Sequence, residues 1–395
     1  MLTIPFLAEL EAIRRDIHAH PELAFKEVRT AAIVADQLNR YGLLVDRGLA
    51  STGVVGRLRW GNGGRAIGLR ADMDALPLIE KNDCPHRSQN VGVMHACGHD
   101  GHTAMLLGAA RYLAEHRDAL PLDGTVYFIF QPAEESEGGA ARMIAEGLFE
   151  RFPMQTVFGL HNWPGLAVGE IAAMPGPVMA GTCSFEITVF GQGCHAAMPH
   201  QGVDTLVVAS QLVLALQTVV SRNLHPCAAA VVSVTQIHGG EAWNVIPDDA
   251  VLRGTLRSFD AETQATVERA IERLCAGMAS TFDARIAVRF DHHYPPTINS
   301  EAETELCRQV ARDVFGADRL RCDEMPSMGA EDFAYFLREK PGCYVWLGNG
   351  PGIGGCTLHN PHYDFNDRLL PLGISYWVRL VETALAGMPG TTAER

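Results

Sequence analysis

The feature that most constrains this chain is a change of pattern between two proline-marked junctions, Met174-Pro-Gly-Pro177 and Tyr294-Pro-Pro296. Before the first, helical spacing of apolar residues appears at 6–18, 28–41, 103–116 and 140–150. Strand-like runs stand at 54–60, 66–71, 125–130 and 156–160, the first two flanking Gly61-Asn-Gly-Gly64, which reads as a hairpin turn. Such alternation predicts an α/β layer built on a mixed, mostly parallel sheet with helices on both faces. Between the junctions the texture differs. Strands are expected at 184–190, 229–237, 250–258 and 286–290 and helices at 205–220 and 261–279, which suits a small α+β domain with an antiparallel sheet. Helix–strand–helix patterns then resume at 301–315, 343–347 and 370–385. The expected organisation is one α/β domain interrupted by an inserted domain of roughly 110 residues, with proline-rich hinges at both junctions.

Composition narrows the class. With 395 residues, 47% hydrophobic and 20% charged, the chain has globular usage, and a formal charge of -14 argues against a nucleic-acid or anionic-membrane surface. The apolar stretch 207–220 is interrupted by Ser210, Gln211 and Gln217 and falls short of a spanning helix. The N-terminal residues lack the basic start of a signal peptide, and the ten cysteines are scattered with no C-x-x-C pair. Reduced thiols and a cytoplasmic location are therefore expected. The sixteen histidines exceed what packing needs and point to chemistry.

Four segments concentrate that chemistry: His95-Ala-Cys-Gly-His-Asp-Gly-His102, Gln131-Pro-Ala-Glu-Glu-Ser-Glu137, His161-Asn-Trp-Pro164 and Leu358-His-Asn-Pro-His-Tyr-Asp364. The second and third directly follow predicted strands, so they can converge beyond the carboxyl ends of an α/β sheet. A thiolate, imidazoles and carboxylates are ligands for zinc, manganese and similar ions. The adjacent Glu134 and Glu135 allow one carboxylate to bind metal while the other serves as general base. Five donors exceed one open tetrahedral site and suit two ions sharing a water. Each piece alone has a plainer reading: Cys97 as an inert buried thiol, His161 and His359 as packed or surface histidines, Glu134-Glu135 as a solvated helix start. No G-x-S-x-G elbow, H-E-x-x-H or phosphate-binding loop is present, and Gly348-Asn-Gly-Pro-Gly-Ile-Gly-Gly355 reads as a flexible loop.

Taken together, Leu69-Arg-Ala-Asp-Met-Asp-Ala-Leu-Pro77, Met94–His102, Gln131–Gly139, Gly159–Pro164, His195-Ala-Ala-Met-Pro-His200, Asn244-Val-Ile-Pro247, Met328-Gly-Ala-Glu-Asp-Phe333 and Leu358–His362 are recognisable. The chain resembles the aminoacylase and carboxypeptidase type of two-metal amidohydrolases, in particular the hippurate hydrolase and auxin-conjugate hydrolase branch. The resemblance spans essentially the whole chain. It implies two divalent ions (zinc, manganese, nickel or cobalt) held by Cys97, His99, Glu135, His161 and His359, with Glu134 as general base. It places Asp72 and Asp74 in an acidic motif that orients ligand histidines, a turn-forming role being nearly as good a reading. It implies that the inserted domain spans 180–292, between catalytic-domain parts 1–179 and 293–395, and serves as a lid and dimerisation module, so that the chain is a homo-oligomer. His195 would reach the scissile carbonyl in its own or a partner's site, and Asn244 and Arg257 would contact the substrate carboxylate, although Arg257 also reads as a solvated strand residue. One departure stands out: Gly193-Cys194-His195 has a cysteine where the family commonly has a second glycine, and a side chain there restricts the turn.

The implied activity is hydrolysis of small N-acyl amino acids at the amide bond. The alternatives are a dipeptidase or carboxypeptidase on the same metals, an amidase using Cys97 as nucleophile with His99 or His102, and a non-catalytic metal-binding protein.

Overall fold

The computed structural model of the chain describes residues 1–135, 137–351 and 356–386. The glycine-rich segment is thus described through Pro351, and residues 352–355 lie outside the described residues. Two compact units emerge: Met1–Gly176 with Ile298–Met325 and Asp332–Arg395, and Pro177–Thr297 with Pro326–Glu331.

In the larger unit the strands are β1 (Leu44–Leu49), β2 (Gly53–Trp60), β3 (Ala66–Asp72), β4 (Gly124–Gln131), β5 (Thr156–Pro164), β6 (Ile171–Ala172), β15 (Leu320–Arg321) and β16 (Gly342–Gly350). They form one sheet in the order β1-β2-β4-β3-β5-β16-β6-β15. The central pairs β4/β3, β3/β5 and β5/β16 run parallel. The expected hairpin at Gly61–Gly64 does not form, because β4 lies between β2 and β3, antiparallel to one and parallel to the other. All seven residues of β3 are buried, so the strand needs a neighbour on each edge and cover on each face, which a two-stranded ribbon cannot supply. The glycine turn instead docks on the chain ahead of β4, Gly63 N–H donating to Asp123 Oδ1 at 2.6 Å.

The period of two along the strands sorts side chains between the faces. Ile67, Leu69 and Ala71 of β3 and Phe158 and Leu160 of β5 join the main core with helices α1 (Leu7–Ala19), α2 (Val28–Arg40), α3 (His99–Glu115), α8 (Glu301–Phe315) and α10 (Leu370–Ala384). Gly68 and Arg70 face the other way, toward Met154 and Phe333, on the side of α4 (Gly139–Ala145), α5 (Leu148–Arg151) and α9 (Phe333–Glu339). The single helix expected at 140–150 is broken into α4 and α5 by Gly147 at φ +92°. Helix α3 is buried along most of its length, and Gly101 lets the Phe365 ring lie where any Cβ would collide, within 2.4 Å.

Strands β7 (Gly176–Met179) and β14 (Thr297–Asn299) lie across the two junctions, and between them the smaller unit contains β8 (Gly181–Phe190), β9 (Cys194–His195), β10 (Ala230–His238), β11 (Val245–Ile246), β12 (Asp249–Ser258) and β13 (Arg285–His292). Strands β10-β12-β8-β13 form an antiparallel sheet, and helices α6 (Thr205–Thr218) and α7 (Ala261–Phe282) bury Val208, Leu212, Leu216, Val267 and Ile271 against it. The fold is therefore the α/β domain with a separate antiparallel α+β unit that the alternating pattern predicts. With the π turn that follows it, α6 forms one 19-residue helix over Thr205–Asn223, long and apolar enough by length and composition to cross a membrane. The polar interruptions thus did not shorten it as expected. In this fold one face of the helix packs in the core of the unit while Leu206, Val207 and Leu214 are exposed.

Candidate metal centre

Because β3, β4 and β5 are mutually parallel, their carboxyl ends open at the same edge of the sheet, where ligands of open α/β sheets collect. Asp72 closes β3, with Asp74 two residues on; Gln131 closes β4, with Glu134 and Glu135 in the following loop; and β5 carries His161 and Asn162. Helix α3 enters from the same side, with Cys97 just before it and His99 as its first residue. Its N-cap, Gly98, has φ +97°, and a Cβ there would lie 2.1 Å from Asn162 Oδ1, so glycine is required on both counts. The loop bearing His359 is tied in by its own backbone, His359 N–H donating to Ala96 O at 2.8 Å. His359 and Ala133 both adopt left-handed backbone, at φ +61° and +57°, a conformation costly for residues with a Cβ and concentrated at functional sites.

The donors meet pairwise. Cys97 Sγ lies 3.4 Å from His161 Nε2, and His359 Nε2 lies 3.2 Å from Glu135 Oε2. His99 Nε2 is 3.8 Å from Glu135 Oε1. Cys97 with His99 and His161, Cys97 with Glu135 and His359, and His99 with Glu134 and Glu135 each bring three donor atoms within 4.8 Å of one another. All but His359, which is half exposed, are buried or nearly so. Two imidazoles are held at their far nitrogens. His161 Nδ1 lies 2.6 Å from the Asn162 carbonyl, and His99 Nδ1 lies 3.2 Å from Asp74 Oδ1, so in each ring Nε2 faces the cluster. Asp74 Oδ2 also accepts from Glu135 N–H at 3.0 Å, tying two donors to one carboxylate. Asp72 instead engages His102 Nδ1 at 2.6 Å and Arg70 Nη1 at 2.6 Å, with His99 Nε2 3.7 Å away.

In the smaller unit, His195 and Asn244 sit together: His195 pairs with Val245 across the β9/β11 ribbon, and Ala196 N–H donates to Asn244 O at 3.0 Å. Arg257 lies apart from that ribbon, on β12 opposite Thr182 and Val231. Cys194 takes ordinary strand backbone opposite Ile246, so its position does not demand a second glycine.

A sequence model described as peptidase family M20/M25/M40 matches residues 68–383. The chain belongs to this family. It is 42% identical over 372 residues to a hippurate hydrolase of Campylobacter jejuni, covering 94% of this chain and 95% of that one. It is 36% identical over 396 residues to IAA-amino acid hydrolase ILR1-like 4 of Arabidopsis thaliana, covering 99% and 89%. Among solved structures, a Bacillus subtilis dinuclear metal-binding peptidase of the M20 family superposes with a TM-score of 0.84 at 33% identity, covering 96% and 98%. The chain is thus an M20-family hydrolase with the branch relatives that the motifs indicated.

Two observations make this M20 cluster fit a cation. His99 Nε2 and Glu135 Oε1 are buried without a hydrogen-bond partner, an arrangement that is costly unless something fills the space between them. The site is also rich in negative charge. Burial opposes a charge on His99, yet Asp72, Asp74 and Glu135 raise its pKa to about 10, a field that a metal ion would satisfy. Burial, joined by the Glu135 and Glu134 carboxylates, pushes the Cys97 thiol well above its usual range, which argues against a free thiolate nucleophile. His102 is engaged by Asp72 and by Asn162 Oδ1 at 2.7 Å, so it is not poised as a base for Cys97.

Sequence reasoning left several members of this site without a role. Glu27 Oε1 accepts from Ala133 N–H at 2.9 Å and its Oε2 from Thr52 Oγ1 at 2.6 Å, holding the strained residue just before Glu134; burial raises its pKa to about 7. Asp332 binds Arg70 Nη2 at 3.0 Å, Gln131 Nε2 at 2.8 Å and Ala140 N–H at 2.9 Å, while its own N–H donates to Glu134 Oε1 at 3.3 Å. Asp332 lies in the Gly-Ala-Glu-Asp-Phe motif, so a signal existed for it, and His102 enters the sequence reading only as an alternative base for Cys97; Glu27 carried no signal.

Proposed function

We propose that this chain hydrolyses the amide bond of N-acyl amino acids, using two divalent ions held by Cys97, His99, Glu135, His161 and His359. The observation that carries the reading is the buried cluster with the unpartnered His99 Nε2 and Glu135 Oε1, set beside a further carboxylate, Glu134. When bound, the ions, whether zinc, manganese, nickel or cobalt, supply Lewis acidity and make water acidic enough to attack near neutral pH. The chain's own part is positioning and proton transfer. Asp74 orients His99 and the Glu135 backbone, and the Asn162 carbonyl orients His161, keeping each Nε2 lone pair on the cluster. Glu134, steadied at Oε1 by Asp332 N–H, takes a proton from the attacking water on a carboxylate oxygen and returns it to the leaving amine.

In the same reading, residues 180–292 act as a lid and dimerisation module in a cytoplasmic homo-oligomer. His195 donates to the scissile carbonyl oxygen, a contribution of up to a few kcal/mol, and Asn244 and Arg257 engage the substrate carboxylate. The reading draws support from the relatives named above, a hippurate hydrolase and an IAA-amino acid hydrolase. Glu134→Gln tests it. The variant keeps wild-type metal content and loses roughly 10²-fold or more in kcat. Turnover near wild type would remove Glu134 from the mechanism.

A further inference from the structure

The smaller unit holds a second set of metal-type donors. Cys183, near the start of β8, and His292, the last residue of β13, are direct cross-strand partners, so their side chains stand on the same face of the sheet. Glu268 projects from α7 onto that pair. Its Oε1 lies 2.8 Å from His292 Nε2, and the thiol, imidazole and carboxylate donor atoms all fall within 4.8 Å of one another. Cys183 is fully buried and Glu268 largely so, while the His292 side chain is 57% exposed and leaves an approach from solvent. Gln264, one turn earlier on α7, donates to Glu268 Oε1 at 2.8 Å and fixes the carboxylate.

We propose that Cys183, Glu268 and His292 bind one zinc-class divalent ion, with water as the fourth ligand. Thiolate, imidazole and carboxylate make the borderline-soft set that zinc and cobalt favour over calcium or magnesium. Tetrahedral coordination at normal bond lengths needs donor separations of roughly 3.3–3.6 Å, so small rotamer changes at His292 and Glu268 suffice. On binding, the Cys183 S–H bond breaks, its proton leaves to solvent, and a sulfur–metal bond forms. Two anionic donors then balance the dication, giving a neutral centre at the edge of the core. A nucleophile–base reading of the same trio does not fit, because His292 Nε2 is turned to Glu268 and the sulfur is enclosed.

The position of the trio gives the ion a purpose. The unit begins at Pro177 and its main segment ends at Thr297, and Cys183 and His292 lie six and five residues inside those limits. A bound ion would clamp the entering strand, the leaving strand and α7 together at one end of the unit. It would act as a structural staple, separate from the donor cluster of the larger unit.

Titration of the metal-free full-length protein with cobalt(II) and zinc(II), followed by metal analysis after dialysis, tests this site. Cys183→Ser and His292→Gln should each take up one equivalent per chain less than wild type. Cys183→Ser should also lose part of the cobalt–thiolate absorption while hydrolytic turnover stays at the wild-type level. His292→Gln alters an exposed side chain and keeps the comparison usable if Cys183→Ser folds poorly. Equal stoichiometry in wild type and variant, with unchanged cobalt–thiolate absorption, would overturn the proposal.

Discussion

Asp74→Ala is the most informative single change at the proposed metal centre, because one carboxylate holds two of the donor-bearing groups. Its Oδ1 fixes His99 Nδ1 at 3.2 Å, and its Oδ2 accepts from Glu135 N–H at 3.0 Å. Removing it leaves two buried donors without acceptors, each costing about 1–3 kcal/mol in the metal-free protein. The total, about 2–6 kcal/mol, is a sizeable part of a typical stability of about 5–15 kcal/mol, so the variant should melt at a lower temperature. The freed imidazole can also rotate. Losing such an orienting partner weakens metal binding by about 10–100-fold, or roughly 1.4–2.7 kcal/mol. Competition against a chelator of known affinity, run beside thermal melts of the metal-free forms, measures both effects. Asp74→Asn should fall between the two proteins, since one amide oxygen can replace only one of the two acceptors. Wild-type metal affinity in Asp74→Ala, with an unchanged melting temperature, would refute the claim that Asp74 organises the site.

Two further outcomes follow from neighbouring residues. Cys97→Ser should bind metal more weakly than wild type, because a hydroxyl is a poor ligand where a thiolate is wanted; full occupancy and activity in a metal-buffered assay would count against Cys97 as a ligand. His18 gives a pH signature of stability. Burial opposes its charge, but Asp100 at 2.9 Å, with help from Glu80, raises its pKa from 6.5 to about 9. The folded state therefore holds a proton that the unfolded chain releases first. The stabilisation, on the order of 3 kcal/mol, is complete below about pH 6.5 and disappears as pH rises toward 9. His18→Gln should flatten the denaturation-midpoint profile across that window relative to wild type, and parallel profiles would contradict the assignment.

Much of the fold was legible because burial demands pattern. The helical spacing near α2, and the short alternating runs of β8 and β12, each announce one buried face or stripe. Sheet order was not legible. Gly61-Asn-Gly-Gly64 has local turn chemistry, but the full burial of β3 draws β4 in beside it, and that pairing is a tertiary effect with no local mark. The same contrast runs through the site. Chemically distinctive residues such as Cys97, His99 and His161 stand out in a sequence, and the parallel strands gather their segments at one edge. The residues that aim them do not stand out. Glu27 reaches Ala133 from a separate helix start, and Asn162 contributes through its carbonyl, which any residue would supply. Cys194 shows the opposite error: a glycine expectation carried by motif dissolves once the residue is seen in ordinary strand backbone.

The central claim is metal-dependent amide hydrolysis at this cluster, and one assay tests it most directly. The protein is stripped of metal, reconstituted with zinc, manganese, cobalt or nickel in turn, and offered benzoyl-, acetyl- and indoleacetyl-amino acids beside free dipeptides. The account predicts no turnover in the stripped enzyme and recovery on at least one N-acyl amino acid after reconstitution. Cleavage of dipeptides alone would move the substrate class, and hydrolysis that survives chelation, or no metal-restored cleavage of any N-acyl amino acid, would contradict the account.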